Sequence, residues 1–162
     1  MLSKKVKESL NEQMIKEIYS GYLYLGMAAY AESIKLKGFS SWFYGQWKEE
    51  LIHAKKIFDY ISEKNERVIL TAIDKPPQDF SSAPDLFEKT LAHEKNVTKM
   101  IHGLVELAGA ENDKATVDFL QWFVKEQIEE ESTPAGILEK IKSAEKNGKG
   151  LREIDEELAA RK

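Results

Sequence analysis

The sequence predicts an all-α protein: an up-down-down-up four-helix bundle with a long crossover at its middle and a short C-terminal fifth helix. Three observations carry the prediction. Apolar residues recur at three- and four-residue intervals through four separate stretches, the spacing of one helix face. The outer two breaks between these stretches are short, whereas the central one runs for about 15 residues and contains Pro76-Pro77. Hydrophobic residues make up 42% and charged residues 32% of the 162, with 4 prolines, a balance that favours one helical domain over a disordered chain.

Helix one, about residues 4–35, places Val6, Leu10, Met14, Ile18, Leu25 and Ala28 on one stripe. Gly38 reads as its stop. Helix two, about residues 39–65, carries Phe39, Trp42, Phe43, Leu51, Ala54, Ile57, Phe58 and Ile61, and the short break makes the two antiparallel neighbours. The crossover, about residues 66–82, reaches roughly 50 Å when extended. That is enough to return the chain along the bundle and start helix three parallel to helix two. Ser82, with Asp85 three residues on, is an N-cap for helix three, about residues 83–110, with Leu86, Val97, Ile101, Leu104 and Ala108. Asn112-Asp113 opens helix four, about residues 113–146, along Val117, Leu120, Phe123, Val124, Ile128, Ile137, Leu138 and Ile141. Asn147-Gly148 closes it. Helix five, about residues 149–160, is too short to be stable unless Leu151, Ile154 and Leu158 dock. Pro134 falls inside helix four, where its ring presses on the carbonyl of residue 130. We expect either a new segment starting at Thr133 or a kink that loosens Glu130.

Charge and composition exclude several function classes. A net charge of -4, with basic residues interspersed among acids, offers nucleic acid no basic face. Without cysteine, disulfides, thiolate zinc sites and Cys-ligated clusters are ruled out, so metal chemistry must use carboxylate, imidazole or amide ligands. No apolar run approaches the roughly 20 residues of a membrane span, and the first residues lack a signal-like apolar core, so a cytoplasmic location is expected.

The pattern is broken in one informative way. Near the middle of each long helix a polar residue occupies the apolar stripe: Glu17, Glu50, Glu94, and Gln127 with Glu130. Carboxylates taken into a low-dielectric interior cost several kcal/mol each unless protonated, paired or bound to metal. No matching set of inward Lys or Arg is visible, whereas His53 follows Glu50 by one turn as Glu-x-x-His. Metal is the better compensator. Counted from the turn near Asn112, Glu94 and Glu130 stand at equal heights; Glu17 and Glu50 agree to within about two turns. Taken singly, Glu17 reads equally well as a boundary residue reaching solvent. Helices that each give a Glu, combined with Glu-x-x-His from a neighbouring helix, follow a known di-iron carboxylate arrangement.

Over almost its whole length the chain resembles the ferritin family. The resemblance rests on Glu17-Ile18-Tyr19 with Tyr24, Glu49-Glu50-Leu51-Ile52-His53-Ala54, Lys75-Pro76-Pro77, His93-Glu94, and the run Phe119 to Glu131. It implies a ferritin-like bundle, a ferroxidase oxidising Fe(II) with O2 or H2O2, and ferric oxyhydroxide stored inside a 24-subunit homo-oligomer. It further implies Glu17 and His53 on a first iron, Glu50 bridging, Glu94 and Glu130 on a second, Gln127 hydrogen-bonding nearby, and Tyr24 close to the site. Glu49, Glu126 and Glu129 match a third, looser iron site of prokaryotic ferritins, and Trp122 a near-site aromatic. Ile52 stands where a haem-binding bacterioferritin has methionine, so the implied cofactor is iron without haem. A soluble di-iron oxidase or peroxidase that stores nothing is the alternative. Outside the site, His93 is expected to be exposed or behind the ligands, His102 at the surface, and Tyr30 and Trp42 exposed for subunit contacts.

Overall fold

In the computed structural model, which describes residues 1–161, the chain forms five helices: α1 Lys4–Ser33, α2 Lys37–Glu63, α3 Ala83–Ala110, α4 Lys114–Lys146 and α5 Arg152–Ala159. Local chemistry sets their ends. The Ser3 hydroxyl accepts the Val6 N–H at 3.3 Å, Ser82 accepts that of Asp85 at 3.3 Å, and Asp113 accepts that of Thr116 at 3.0 Å. The Asp85 carboxylate reaches back to the Ser81 N–H at 3.0 Å, closing a capping box one residue wider than the usual one.

The helix stops correct one expectation. Gly38 does not end α1 but lies in the first turn of α2; the stop is Lys35, at φ 67°, with the Leu36 N–H donating to the Ala31 carbonyl at 3.0 Å. Asn65 and Asn112, at φ 59° and 58°, end α2 and α3 in the same left-handed conformation. Gly38 serves packing instead. A Cβ there would stand 1.7 Å from the Asp155 carbonyl oxygen, so glycine lets α5 lie directly on α2. The Asp155 carboxylate then accepts the Phe39 N–H at 2.9 Å, and Ile154 and Leu158 enter the core.

The crossover fixes the topology. It touches α1 first near its start, where Lys7 pairs with Glu66 at 3.0 Å and the Ile69 N–H donates to Asn11 at 2.7 Å. It leaves near the end of α1, where Phe80 meets Tyr30 edge-on at 5.3 Å. α3 therefore begins at the end of the bundle where α2 begins, and runs parallel to it. α1 packs along α2 and α3 along α4.

Along the bundle the core falls into two apolar clusters. One contains Met27, Phe39, Phe43, Phe87 and Ile141; the other Leu10, Met14, Ile57, Ile101 and Leu120. Between them, at mid-height of all four helices, lies a buried polar layer. α4 runs unbroken through the buried Pro134, so Thr133 does not start a new segment. In so long a helix, packed on both sides of the proline, one missing N–H is tolerated. Trp42 is likewise corrected. It is buried, against Phe43 at 5.0 Å and Phe87 at 5.1 Å, because the docked C-terminal segment covers it. Tyr30 is half-buried.

Candidate metal centre

The polar layer is assembled by close helix approach. At Gly21 a Cβ would meet Trp47 Cδ1 at 3.1 Å and Glu50 Cβ at 3.3 Å, so α1 and α2 come together at the height of the layer. The offset that the sequence left uncertain is thereby resolved, and Glu17 stands beside Glu50. Glu17, Glu50, His53, Glu94 and Glu130 are each between 1% and 6% exposed.

His53 occupies the centre. Its Nδ1 lies 3.1 Å from Glu50 Oε2 and 3.9 Å from Glu17 Oε2; its Nε2 lies 3.9 Å from both Glu130 Oε1 and Glu126 Oε1. Two buried groups result, Glu17–Glu50–His53 and Glu50–Glu94–Glu130, each with three ligand atoms within 4.8 Å of one another. Glu50 belongs to both. A carboxylate with two oxygens suits that shared position, and a set of carboxylates with one imidazole can hold a hard or borderline cation, iron among them.

Each of three buried amides holds one carboxylate. Gln127 Nε2 donates to Glu94 Oε2 at 3.1 Å and to the Glu94 carbonyl at 3.2 Å. Gln13 donates to Glu17 Oε1 at 2.6 Å and Gln46 to Glu130 Oε2 at 2.9 Å. Sequence reading found Gln127 but passed over Gln13 and Gln46. The signal was present: each stands four residues before a stripe glutamate, on the same face. The Tyr24 hydroxyl donates to Glu94 Oε1. Such bonds orient ligands; Glu17 and Glu130 each keep the opposite oxygen clear of them, whereas both oxygens of Glu94 are engaged.

Electrostatically the layer is short of positive charge. Burial, then Glu17, Glu94 and Glu130, push the Glu50 carboxyl well above its ordinary range. Burial, then Glu94, raise Glu130 to about 8, against the opposing Gln46 bond. Burial raises Glu94 to about 7 while the Tyr24 and Gln127 bonds pull it down. Burial, then Glu94, also push the Tyr24 phenol up. Among the described residues no Lys or Arg lies within 4 Å of these four carboxylates that fill the two groups; the imidazole of His53 is their one basic neighbour. Without cations the layer takes up protons, and with cations it has reason to release them.

The outer candidates fare unequally. Glu49, Glu126 and Glu129 line one cavity of about 610 Å³ with Gln46 and Glu130. Glu126 forms a third group with His53 and Glu130. Glu129 is exposed and Glu49 is turned to Arg161, so neither joins that group. Trp122 meets His53 edge-on at 5.4 Å, with the Lys56 ammonium 4.4 Å from its ring centre. His93 sits behind Tyr24, edge-on at 5.9 Å and bonded to Ser20 at 2.7 Å; burial, then Lys16, lower its pKa to about 4. His102 is exposed.

Known proteins share this arrangement at the level of sequence and fold. A family profile described as "Ferritin-like domain" matches residues 7–144. A bacterial non-heme ferritin of Staphylococcus epidermidis is 41% identical over 161 residues, spanning 99% of this chain and 97% of that protein. One from Campylobacter jejuni is 43% identical over 151 residues, spanning 93% and 90%. Among solved structures, the open pore ferritin of the hyperthermophilic archaeon Archaeoglobus fulgidus superposes with a TM-score of 0.97 at 49% identity, covering 100% of both chains. A closed form of it made by site-directed mutagenesis also gives 0.97, covering 100% of this chain and 99% of that one. No helix among the described residues is long and apolar enough to cross a membrane.

Proposed function

This chain belongs to the ferritin family, on its non-haem side, and from that premise we propose that it is a ferroxidase subunit that stores the iron it oxidises. One observation supports the chemistry above the others: two three-ligand groups share Glu50 inside a single bundle. Fe(II) is the substrate. Glu17 and His53 would hold one ion, Glu94 and Glu130 the other, and Glu50 both. Carboxylates favour Fe(III) over Fe(II), and two neighbouring ions can each give one electron to a single O2. The balance is closed by water: two Fe(II), one O2 and four waters give two FeO(OH), one H2O2 and four protons. H2O2 would serve as oxidant in the same site.

The protein's own residues supply position and proton control. Gln13, Gln46 and Gln127 fix one oxygen on three of the carboxylates, and Tyr24 fixes Glu94 from the other side. Glu130 belongs to the second group and also lines the outer acidic cavity, which would give a ferric product a path outward. Glu126, with Glu49 and Glu129 around it, would form the third, transient stop. Assembly into a closed 24-subunit shell in the cytoplasm completes the reading, on the family's pattern.

Aerobic addition of Fe(II) to the metal-free protein, with ferric absorbance and particle mass followed together, tests it. Uptake should continue far beyond the ions that fill the ligand groups, and mass should rise with it. Saturation at about two or three irons per chain would point instead to a soluble di-iron oxidase or peroxidase that stores nothing.

A further inference from the structure

The outer acidic cavity already contains a cation of the protein's own. Arg161 lies two residues past α5 and folds back over α2. Its Nη2 donates to Glu49 Oε2 at 2.8 Å, its Nη1 to the Trp42 carbonyl at 3.3 Å, and its guanidinium carbon sits 4.9 Å from the Trp42 ring centre. Three contacts of different kinds hold it. The segment that delivers it is held too, by Ile154 and Leu158 in the core, by Asp155 on the Phe39 N–H, and by the close approach at Gly38. Arg161 therefore reaches Glu49 because α5 is docked. The other cation of this wall, Lys140, is engaged by Glu157.

Glu49 is the acid of the cavity that this contact engages. Glu126 and Glu130 stand with His53 as a ligand group, while Glu49, next to Glu50 in sequence, points its carboxylate to the guanidinium. A guanidinium does not lose its charge at any working pH, so it leaves only by moving. The pair is partly exposed, at 26% and 44% for the two side chains, and exposed pairs are weak enough to exchange.

We propose that Arg161 is a displaceable internal counter-ion: it keeps the Glu49 carboxylate from joining Glu126 and Glu130 until a divalent cation arrives, and so sets how tightly that cation is held. The idea rests on the preceding reading of the inner groups as an iron pair. A third ion recruits Glu49 only by breaking its bond to Arg161, and it then feels the positive charge left nearby. Both effects weaken outer binding and keep the pocket a place of passage.

Calorimetric titration of the intact assembled protein with Fe(II), without oxygen, tests the proposal. Arg161→Gln should tighten the outer ion roughly five- to tenfold and leave the two inner ions unchanged. With Glu49→Gln in both backgrounds most of that gain should vanish, because Glu49 transmits it. Arg161→Lys, which keeps the charge but lacks the fork, should fall between. If Arg161 only anchors α5, Arg161→Gln will speed hydrogen exchange over residues 152–159 and leave the outer affinity alone, which overturns the proposal. An outer ion that binds more weakly in the variant, or not at all in either protein, also overturns it. Failure of the wild-type protein to bind its inner pair would refute the preceding reading as well.

Discussion

Replacing Glu130 by glutamine keeps the side chain's shape and its acceptor for Gln46 but removes the ionisable carboxyl. In the folded protein without metal this group titrates near 8 rather than 4.5, because burial and then Glu94 oppose its charge. At pH 7 the unfolded chain has lost that proton and the folded chain holds it. Folding must therefore take up about one proton, which at roughly 1.36 kcal/mol per pH unit between 4.5 and 7 costs about 3 kcal/mol. Glutamine takes up none. Glu130→Gln should thus stabilise the metal-free protein at pH 7 by about 1–3 kcal/mol, the lower figure allowing for relaxation and water entry. A raised carboxyl pKa means that wild-type stability is fully present below about pH 4.5 and falls as the pH climbs toward 8. The variant's advantage should be nil near pH 4.5 and greatest near pH 8. Urea unfolding in chelator at pH 5 and pH 7.5 measures it. Added Fe(II) should reverse the order, since ligand binding to the native state stabilises the wild type more. A variant less stable than wild type at pH 7.5 without metal, or an equal difference at both pH values, would refute the picture of a buried carboxylate lacking its cation.

Two further substitutions probe the supports of the layer. Gln46→Leu removes the donor to Glu130, so the second inner ion should bind about tenfold more weakly while the first is unaffected, as read by anaerobic Fe(II) titration. Gly38→Ala puts a methyl group into the Asp155 carbonyl. It should destabilise α5 by about 2 kcal/mol, seen as faster hydrogen exchange over residues 152–159 with α3 unchanged.

The candidate site was legible where helical geometry alone decided it. Glu94 and Glu130 are equidistant from one tight turn, and Glu50 and His53 share a face, so counting residues sufficed. Glu17 was harder because its height depended on where α1 ended, and Lys35, not Gly38, makes that stop. Gln13 and Gln46 escaped because, unlike Gln127, neither lies in a stretch that carried the family resemblance, though each bonds a candidate ligand. The cover over Trp42 and the reach of Arg161 lay beyond pattern reading. Both depend on α5 returning to α2, a contact more than a hundred residues distant that leaves no periodic trace. The crossover was legible in its length and prolines, and its course along α1 was settled by single hydrogen bonds such as that of Ile69 to Asn11.

The division of the core into two apolar clusters has a mechanical meaning. Each helix behaves as a beam resting on a support at both ends, with the candidate ligand side chains at mid-span. A beam so carried bends little when one support is softened, whereas the same residues on a free helix end would swing like a cantilever. Packing changes in either cluster should accordingly be absorbed before they reach Glu50, leaving the chain free to vary its ends while the spacing at its centre stays put.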